Sequence, residues 1–424
     1  MPAIADPRPF LETLFHAAVD AADPEKVLAA HLPEKPKGRT IVVGAGKGAA
    51  QMARAFERLW DGPLEGAVVT RYGYAVPCER IEVLEASHPV PDGNGLAATR
   101  RLMETVSGLT EDDLVVALVC GGGSALLPAP PEGLTLDDEI AVNKALLASG
   151  APISAMNAVR KQVSRIKGGR LAALAHPARV VSLVVSDIPG DDPALVASGP
   201  TIPDASTRAD ALRLIERYRL DLPEAVMRHI REGGEDAPAP NDPVFARNEV
   251  RLVASAAVSL EAAAGVARRE GVEAVILSDA IEGEAAEVGR VHAAIAAEVA
   301  RRDRPFGKPV VILSGGETTV TVKGKGKGGR NGEFLLAFAT AVDGVAGISA
   351  LAADTDGIDG SEDNAGAFAD GGSVVRLAGK GLDAAAFLAR NDSWTAFDAL
   401  GDLFVPGPTG TNVNDFRAIL VQEP

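Results

Sequence analysis

Lys47, Asp187 and Arg330 are the residues that this sequence best equips for chemistry. Lys47 lies in GAGKGAA (44–50), where Gly44, Gly46 and Ala49 match the spacing of a dinucleotide-binding turn. The fingerprint is incomplete. An acidic residue is expected about 20 positions on, at the end of the second strand, but that strand ends in Thr70 and Arg71. Nor is this a Walker loop, which needs G-x-x-x-x-G-K-[ST]. Glycines let backbone N–H groups approach an anion at a helix N-terminus, whereas the helix dipole disfavours a cation there. A bound phosphate or carboxylate would explain Lys47; a solvated lysine in a structural turn is the alternative.

Other strand ends carry similar chemistry. In CGGGSALL (120–127) the amides of Gly121 to Ser124 could form an anion nest. Ser124 does not stand in G-x-S-x-G and no histidine offers it a triad, so anion binding or a tight turn is expected rather than a nucleophile. SDIPGDDPALVASGPT (186–201) places Asp187, Asp191 and Asp192 just past an apolar run. Carboxylates there can hold Mg²⁺ or accept a proton from a hydroxyl. Asp192 before Pro193 reads as a helix cap, which leaves Asp187 as the better chemical candidate. His88 reads as a hydrogen-bonding loop residue.

MNAVRKQVSRIKGGR (156–170) reads as a helix, with Asn157, Lys161 and Arg165 on one face and five basic residues within eleven positions. That face is either solvated or pairs with an anion. In SGGETTVTVKGKGKGGRNGE (314–333), Lys323, Lys325, Lys327 and Arg330 alternate with or follow glycine, as expected of a mobile loop that gathers polyphosphate. Arg330 then falls near a helix N-terminus, an anion position. DTDGIDGSEDNAGAFAD (354–370) carries six acidic residues and no basic one. It lacks the EF-hand spacing and could hold Mg²⁺ or be an acidic loop. GPTGTNVNDF (407–416) is a polar turn before the last strand. Basic glycine-rich loops, carboxylates at strand ends and no nucleophile–base pair point to phosphoryl transfer, which relies on positioning and charge neutralisation.

These loops must be positioned by a framework, and the pattern supplies one. Apolar strands at 40–44, 66–70, 81–85, 114–119 and 180–185 alternate with helical stretches. EGGEDAPAPNDP (232–243) reads as a linker, after which strands near 250–254, 273–277 and 310–313 resume the alternation, with TTVTV at 318–322. This predicts an α/β chain of two domains, 1–240 and 241–424. Each is expected to be a mostly parallel sheet flanked by helices, the first Rossmann-like, and the strand ends that carry chemistry suggest a site gathered from both halves of the chain.

Composition agrees. The 424 residues are 46% hydrophobic and 24% charged, the balance of an ordinary globular chain. A net charge of −16 argues against nucleic-acid binding. The two cysteines, Cys78 and Cys120, are too few for a disulfide framework. No signal peptide or membrane span is read, so a cytoplasmic enzyme without a membrane partner is expected.

With GAGKGAA, CGGGSALL, MNAVRKQVSRIKGGRLA, SDIPGDDPALVASGPT, GGETTVTVKGKGKGGRNGE, DTDGIDGSEDNAGA and PTGTNVNDF in this order, the sequence resembles the class II glycerate kinases, the glycerate 2-kinase family with a MOFRL C-terminal domain. The resemblance covers roughly residues 8 to 422. It implies ATP-dependent phosphorylation of D-glycerate, giving 2-phosphoglycerate in most members, with ATP as co-substrate and a divalent cation, usually Mg²⁺. It implies two α/β domains with the active site in the interdomain cleft, and Lys47, Asp187 and Arg330 as the catalytic residues. Ser124, Asn157 and Lys161 are the expected glycerate contacts. Gly44, Gly46, Gly122, Gly123, Glu317, Lys325, Lys327 and Asn331 are the expected nucleotide contacts. Asp187, Asp191, Asp354 and Asp356 are the expected metal ligands. A monomer or homodimer is expected. The chain is also similar to members labelled hydroxypyruvate reductase, which would need a nicotinamide site; a nucleotide- or sugar-acid-sensing module without turnover is the non-enzymatic alternative.

Overall fold

The computed structural model describes residues 4–188, 190–233 and 236–424. The chain forms two compact units, one of residues 24–253 and one of residues 1–23 with 254–424. The first is built on six strands, β1 (Thr40–Ala45), β2 (Glu65–Arg71), β3 (Ile81–Ala86), β4 (Leu114–Cys120), β5 (Arg179–Val185) and β6 (Glu249–Ala254). Their order across the sheet is β3-β2-β1-β4-β5-β6, the doubly wound dinucleotide-fold order. β3, β2, β1, β4 and β5 run parallel. Every residue of β1 and β4 is buried, as continuous apolar runs are when helices cover both faces of a parallel sheet.

The connections explain the site. After β1 the chain returns through the helix Ala49–Leu59 to β2 on one side, and after β4 it continues to β5 on the other. Strand order therefore reverses between β1 and β4. Such a sheet leaves a crevice at this point, beyond its carboxyl ends. GAGKG follows β1 and CGGGS follows β4, so the two glycine turns are neighbours: the Lys47 amide donates to the Gly121 carbonyl at 2.8 Å.

The second unit holds a six-stranded sheet of β7 (Glu273–Ile276), β9 (Val310–Gly316), β11 (Ile348–Asp354), β12 (Gly366–Asp370), β13 (Leu403–Phe404) and β14 (Asp415–Val421), with a two-residue pair of β8 (Gly283–Glu284) and β10 (Thr318–Thr319) beside it. Its order is β13-β12-β11-β14-β9-β7. Here the expectation of a mostly parallel sheet fails. Only β7 and β9 pair in parallel; the other neighbours are antiparallel. β11 and β12 are joined by residues 355–365 without a helix, and a parallel return needs a crossover of a dozen or more residues. The expected strand 318–322 shortens to the two residues of β10.

The division of the chain also differs from 1–240 and 241–424. β6 follows the expected linker yet still belongs to the first sheet; residues 234 and 235 of that linker lie outside the described residues. The N-terminal helix Pro7–Asp20 packs instead with the second unit, where Leu11, Leu14, Phe15 and Ala18 meet Leu260, Ala263, Ala264 and Ala267 of the helix Ala256–Arg269. Among the described residues no helix is long and apolar enough to cross a membrane.

Candidate active site

At the carboxyl edge of the first sheet, Gly46 adopts φ +140°, and a Cβ there would lie 2.4 Å from the Cys120 carbonyl oxygen. The two turns approach so closely only because neither carries a side chain at the contact. A methyl on Gly121 would meet the Asp187 Oδ2 at 1.9 Å, and one on Gly122 would meet Lys47 Cγ at 3.0 Å and His88 Nε2 at 3.2 Å. The bare CGGG turn thus brings together Lys47, Asp187 and His88 from the ends of three strands. Half-buried Lys47 has no hydrogen-bond or ion-pair partner for its ammonium among the described residues. An unpartnered cation over glycine amides can receive an anion.

His88, expected to be a hydrogen-bonding loop residue, lies instead against the glycine turn. Burial, with Lys47 and Arg71 nearby, pulls its ring down to about 4, so it is neutral at pH 7. The Cys120 thiol is fully buried and pushed up to about 12 chiefly by that burial, which makes it inert packing. Gly44 lies inside β1, where a Cβ would strike the Leu118 carbonyl oxygen at 2.5 Å; at Gly123 it would strike Ala197 Cβ at 2.6 Å. Close packing accounts for both glycines without a nucleotide.

Ser124 begins a buried polar chain. Its Oγ is 2.6 Å from Ser198 Oγ, and Ser198 Oγ donates to Asn157 Oδ1 at 2.9 Å. Asn157 Oδ1 also accepts from Arg160 Nη1 at 3.2 Å, while Asn157 Nδ2 donates to the Leu195 carbonyl at 2.9 Å. These partners fix the amide orientation, because a guanidinium only donates and a carbonyl only accepts. Ser198 has spent its proton on Asn157, so the Ser124 proton must go to Ser198. Ser124 then presents only lone pairs: it can accept from a hydroxyl but cannot donate to a carboxylate or act as a nucleophile with an outward proton. Ala197 and Ser198 hold this loop with φ of 52° and 60°, the kind of strain that persists where surrounding contacts over-determine the backbone.

The expected single helix over 156–170 is not formed. It stops at Arg160, passes through a short 3-10 turn at Lys161–Val163, and Ser164 is extended. The i, i+4, i+8 face of Asn157, Lys161 and Arg165 therefore does not exist. Lys161 is buried and donates to Asp204 Oδ1 at 2.5 Å, so its charge is spent on the fold and not left for glycerate. Lys167 is likewise paired with Glu139 at 2.7 Å.

In the second unit, Arg330 opens the helix Arg330–Ala341. Its Nε contacts Asp415 Oδ1 at 2.6 Å, Nη1 contacts Glu317 Oε1 at 2.7 Å and Nη2 contacts Asp354 Oδ2 at 2.6 Å. Burial works against the charge, but Asp415, Asp354 and Glu317 outweigh it and hold Arg330 above its usual range. The open anion position expected at this helix end is already filled from within: Asp359 accepts the amides of Asn331 at 3.0 Å and Gly332 at 2.8 Å. Burial raises Asp359 to about 6. Asn331 donates its side-chain amide to Asp415 at 2.9 Å.

The glycine-lysine loop is not the mobile flap expected from its composition. Its backbone is pinned along residues 390–394: Lys323 and Gly324 amides reach Asn391 Oδ1, the Gly326 amide reaches the Arg390 carbonyl, and the Lys327 amide reaches Asp392 Oδ1. Cβ atoms on Gly324, Gly326 and Gly328 would lie 2.2–2.5 Å from atoms of that segment. Glycine serves close approach here. Lys327 stands 4.9 Å above the Trp394 ring and 3.3 Å from Glu362, while Lys323 and Lys325 extend outward.

A divalent cation finds no closed cage. Among the described residues no three His, Cys, Asp or Glu side chains come together to hold one. Mg²⁺ commonly keeps its waters and takes one or two carboxylates plus substrate phosphates. Asp187, beside the glycine turn, fits that role; Asp191 is two residues past Pro189, which lies outside the described residues. Asp354 and Asp356 do not fit, since Asp354 is committed to Arg330 and the Asp356 amide, and Asp356 Oδ1 accepts from the Ile358 amide.

Comparison with known proteins identifies the framework. Residues 10–231 match a family described as a domain of unknown function, DUF4147, and residues 310–415 match the MOFRL family. The chain is 42% identical over 401 residues to the D-glycerate 2-kinase of Thermotoga maritima, covering 94% of both chains. The chain belongs to the glycerate 2-kinase family. The crystal structure of a Thermotoga maritima glycerate kinase superposes with a TM-score of 0.88 at 39% identity, covering 97% of this chain and 99% of that one. A protein of Agrobacterium vitis provisionally named hydroxypyruvate reductase is 53% identical over 417 residues, 98% of this chain and 94% of that protein.

Proposed function

We propose that the protein transfers a phosphoryl group from ATP to a hydroxyl of D-glycerate, giving 2-phosphoglycerate. The observation that carries this reading is the unpartnered Lys47 ammonium over a glycine turn whose other side rests on the Asp187 carboxylate. Phosphoryl transfer asks for that combination, a fixed cation and amides for developing charge beside a carboxylate that orients the attacking hydroxyl. Asp187 accepts the proton of the attacking hydroxyl. Lys47 stabilises charge on the transferring group. Ser124, limited to accepting, takes the second hydroxyl of the substrate. His88 stays neutral and adds no competing charge. Mg²⁺ held by Asp187 and nucleotide phosphates would neutralise part of the phosphate charge. Arg330 and the lysines of 323–327 are proposed on the nucleotide side, Arg330 keeping its three carboxylates.

The Agrobacterium name and the doubly wound strand order favour a second reading, reduction of hydroxypyruvate by a nicotinamide cofactor. Against it, β2 ends in Thr70, which donates to the Lys47 carbonyl at 3.0 Å, and in Arg71, which stacks on Tyr74 at 4.3 Å. β2 itself ends in no carboxylate for a ribose; Glu85, its neighbour on β3, is engaged by the Gly73 amide at 2.7 Å. The test is incubation with D-glycerate, ATP and Mg²⁺, with the product identified by ³¹P NMR. Oxidation of NADH or NADPH by hydroxypyruvate at 340 nm, without glycerate-dependent ADP formation, would overturn the kinase reading.

A further inference from the structure

Four lysine or arginine residues, main chain and side chain together, are less than a tenth exposed among the described residues: Arg160, Lys161, Lys167 and Arg417. Three of them are matched to a carboxylate, Lys161 to Asp204, Lys167 to Glu139 and Arg417 to Asp415. Arg160 is the exception. It is 9% exposed, and its partners are two neutral amides, Asn143 Oδ1 on Nε at 2.9 Å and Asn157 Oδ1 on Nη1 at 3.2 Å. The one carboxylate that influences it, Glu139, has both oxygens engaged, by Lys167 and by the Ala129 amide. Burial pulls Arg160 down to about 10, the response of a charge that lacks a counter-ion.

A buried charge without a partner is costly, and natural proteins rarely keep one without a use. Arg160 also sits in a particular place. Asn157, which it touches, accepts from Ser198, and Ser198 contacts Ser124 in the glycine turn beyond β4. Nε and one N–H of Nη1 are committed to the two amides, which hold the planar group in place and leave its remaining N–H groups for one acceptor. A planar, singly charged carboxylate matches that fork. A polyphosphate would ask for several cations.

We infer that Arg160 is the receptor for the carboxylate of a small hydroxy acid, and, resting on the kinase reading, that this acid is glycerate. Ser124 and Arg160 then divide the substrate: acceptor lone pairs for a hydroxyl, a guanidinium for the acid.

The test compares D-glycerate with its neutral amide, D-glyceramide, in the parent, Arg160→Gln and Arg160→Lys. In calorimetric titrations without nucleotide, the parent should bind glycerate at least 30-fold more tightly than glyceramide. Arg160→Gln should lose glycerate binding by at least 30-fold and lose most of that discrimination. Arg160→Lys, which keeps the charge but not the fork, should lie between. In turnover, KM for glycerate should rise by a similar factor while KM for ATP changes less than 3-fold. If Arg160→Gln weakens both ligands equally, or discrimination survives in either variant, the inference is wrong and Arg160 is a packing residue. If Arg160→Gln fails to fold, Arg160→Lys and the parent's own preference decide. A parent that binds glycerate in this way but forms no phosphoglycerate would overturn the kinase reading alone; a parent that does not prefer the acid to the amide would overturn the Arg160 assignment.

Discussion

Lys47 and Arg330 read alike in sequence, a cation beside glycine at the start of a helical pattern, but they differ in what removing them should do. Arg330→Ala deletes the shared partner of Asp415, Asp354 and Glu317, each within 2.7 Å. Asp415 is fully buried and Asp354 nearly so. Breaking a buried ion pair by removing one partner costs about 3–5 kcal/mol. For a unit of about 150–250 residues each kcal/mol shifts the melting point by roughly 2–4 °C, so Arg330→Ala should melt about 6–20 °C below the parent. Lys47→Ala deletes a half-buried ammonium that neither accepts a counter-ion nor donates a hydrogen bond within the protein, and should change stability by about 0.5 kcal/mol or less. Its kcat should fall by about 10³-fold, the loss expected when a charge-stabilising group leaves a phosphoryl-transfer site. Scanning calorimetry and an ADP-coupled assay, run well below the variant's melting point, separate the two effects. An Arg330→Ala protein that melts within 2 °C of the parent would refute the ion-pair reasoning; a Lys47→Ala protein with near-normal turnover would remove Lys47 from the proposed site.

Gly121→Ala puts a methyl group 1.9 Å from Asp187 Oδ2 and must displace that carboxylate; a shift of about 1 Å at a reacting group costs on the order of 10²-fold in rate, so kcat should drop by that much with the fold retained by circular dichroism. Lys161→Ala leaves Asp204 without its buried ammonium and should lower the melting temperature by several degrees while KM for glycerate in the folded fraction stays within about 3-fold; a selective rise in KM would restore Lys161 as a substrate contact. His292 Nδ1 donates to Val288 O at 2.8 Å, its Nε2 accepts from Ser314 Oγ at 3.0 Å, and the ring is pulled down to about 4 by burial. Because its folded value lies below 6.5, the stability it contributes is present above about pH 6.5 and lost as pH falls toward 4. The stability gap between parent and His292→Gln, measured by urea denaturation, should therefore shrink by about 2 kcal/mol from pH 7 to pH 4.5; Asp359, whose raised value gives a slope of the opposite sign, is common to both proteins and cancels.

The first half of the chain was legible because its strands are uninterrupted apolar runs. Thr40–Ala45, Leu114–Cys120 and Arg179–Val185 could be nothing but buried parallel strands, and a parallel sheet fixes which turns share its carboxyl edge. GAGKG, CGGGS and Asp187 were found this way. Three things escaped. The mixed second sheet depends on which strands pair over long separations, Asp415–Val421 entering between Val310–Gly316 and Ile348–Asp354, and apolar periodicity does not encode direction. The break at Arg160 depends on the buried pairing of Lys161 and Lys167, where tertiary partners override a helical pattern. The pinned glycine loop depends on residues 390–394, some sixty positions away, and four glycines in the seven residues 323–329 would look the same as a flexible linker in any composition count.

The basic residues show most clearly what sequence leaves open. Type and spacing marked Lys47, Arg330 and Lys161 each as a cation that could meet an anion. The structure gives Lys161 one carboxylate and Arg330 three, leaves Lys47 with none, and buries Arg160 against amides alone. A cation already balanced by the fold gains little from a ligand and loses its present partners if it turns away. A cation held in place but unbalanced gains from the first anion that reaches it. By that criterion the ligand-seeking charges of the first unit are Lys47 and Arg160, at the two ends of a path that runs through the glycine turn and Ser124. Glycerate carries an acid group at one end and hydroxyls toward the other, and that is the order in which this edge of the sheet presents a guanidinium, an acceptor hydroxyl and a free ammonium.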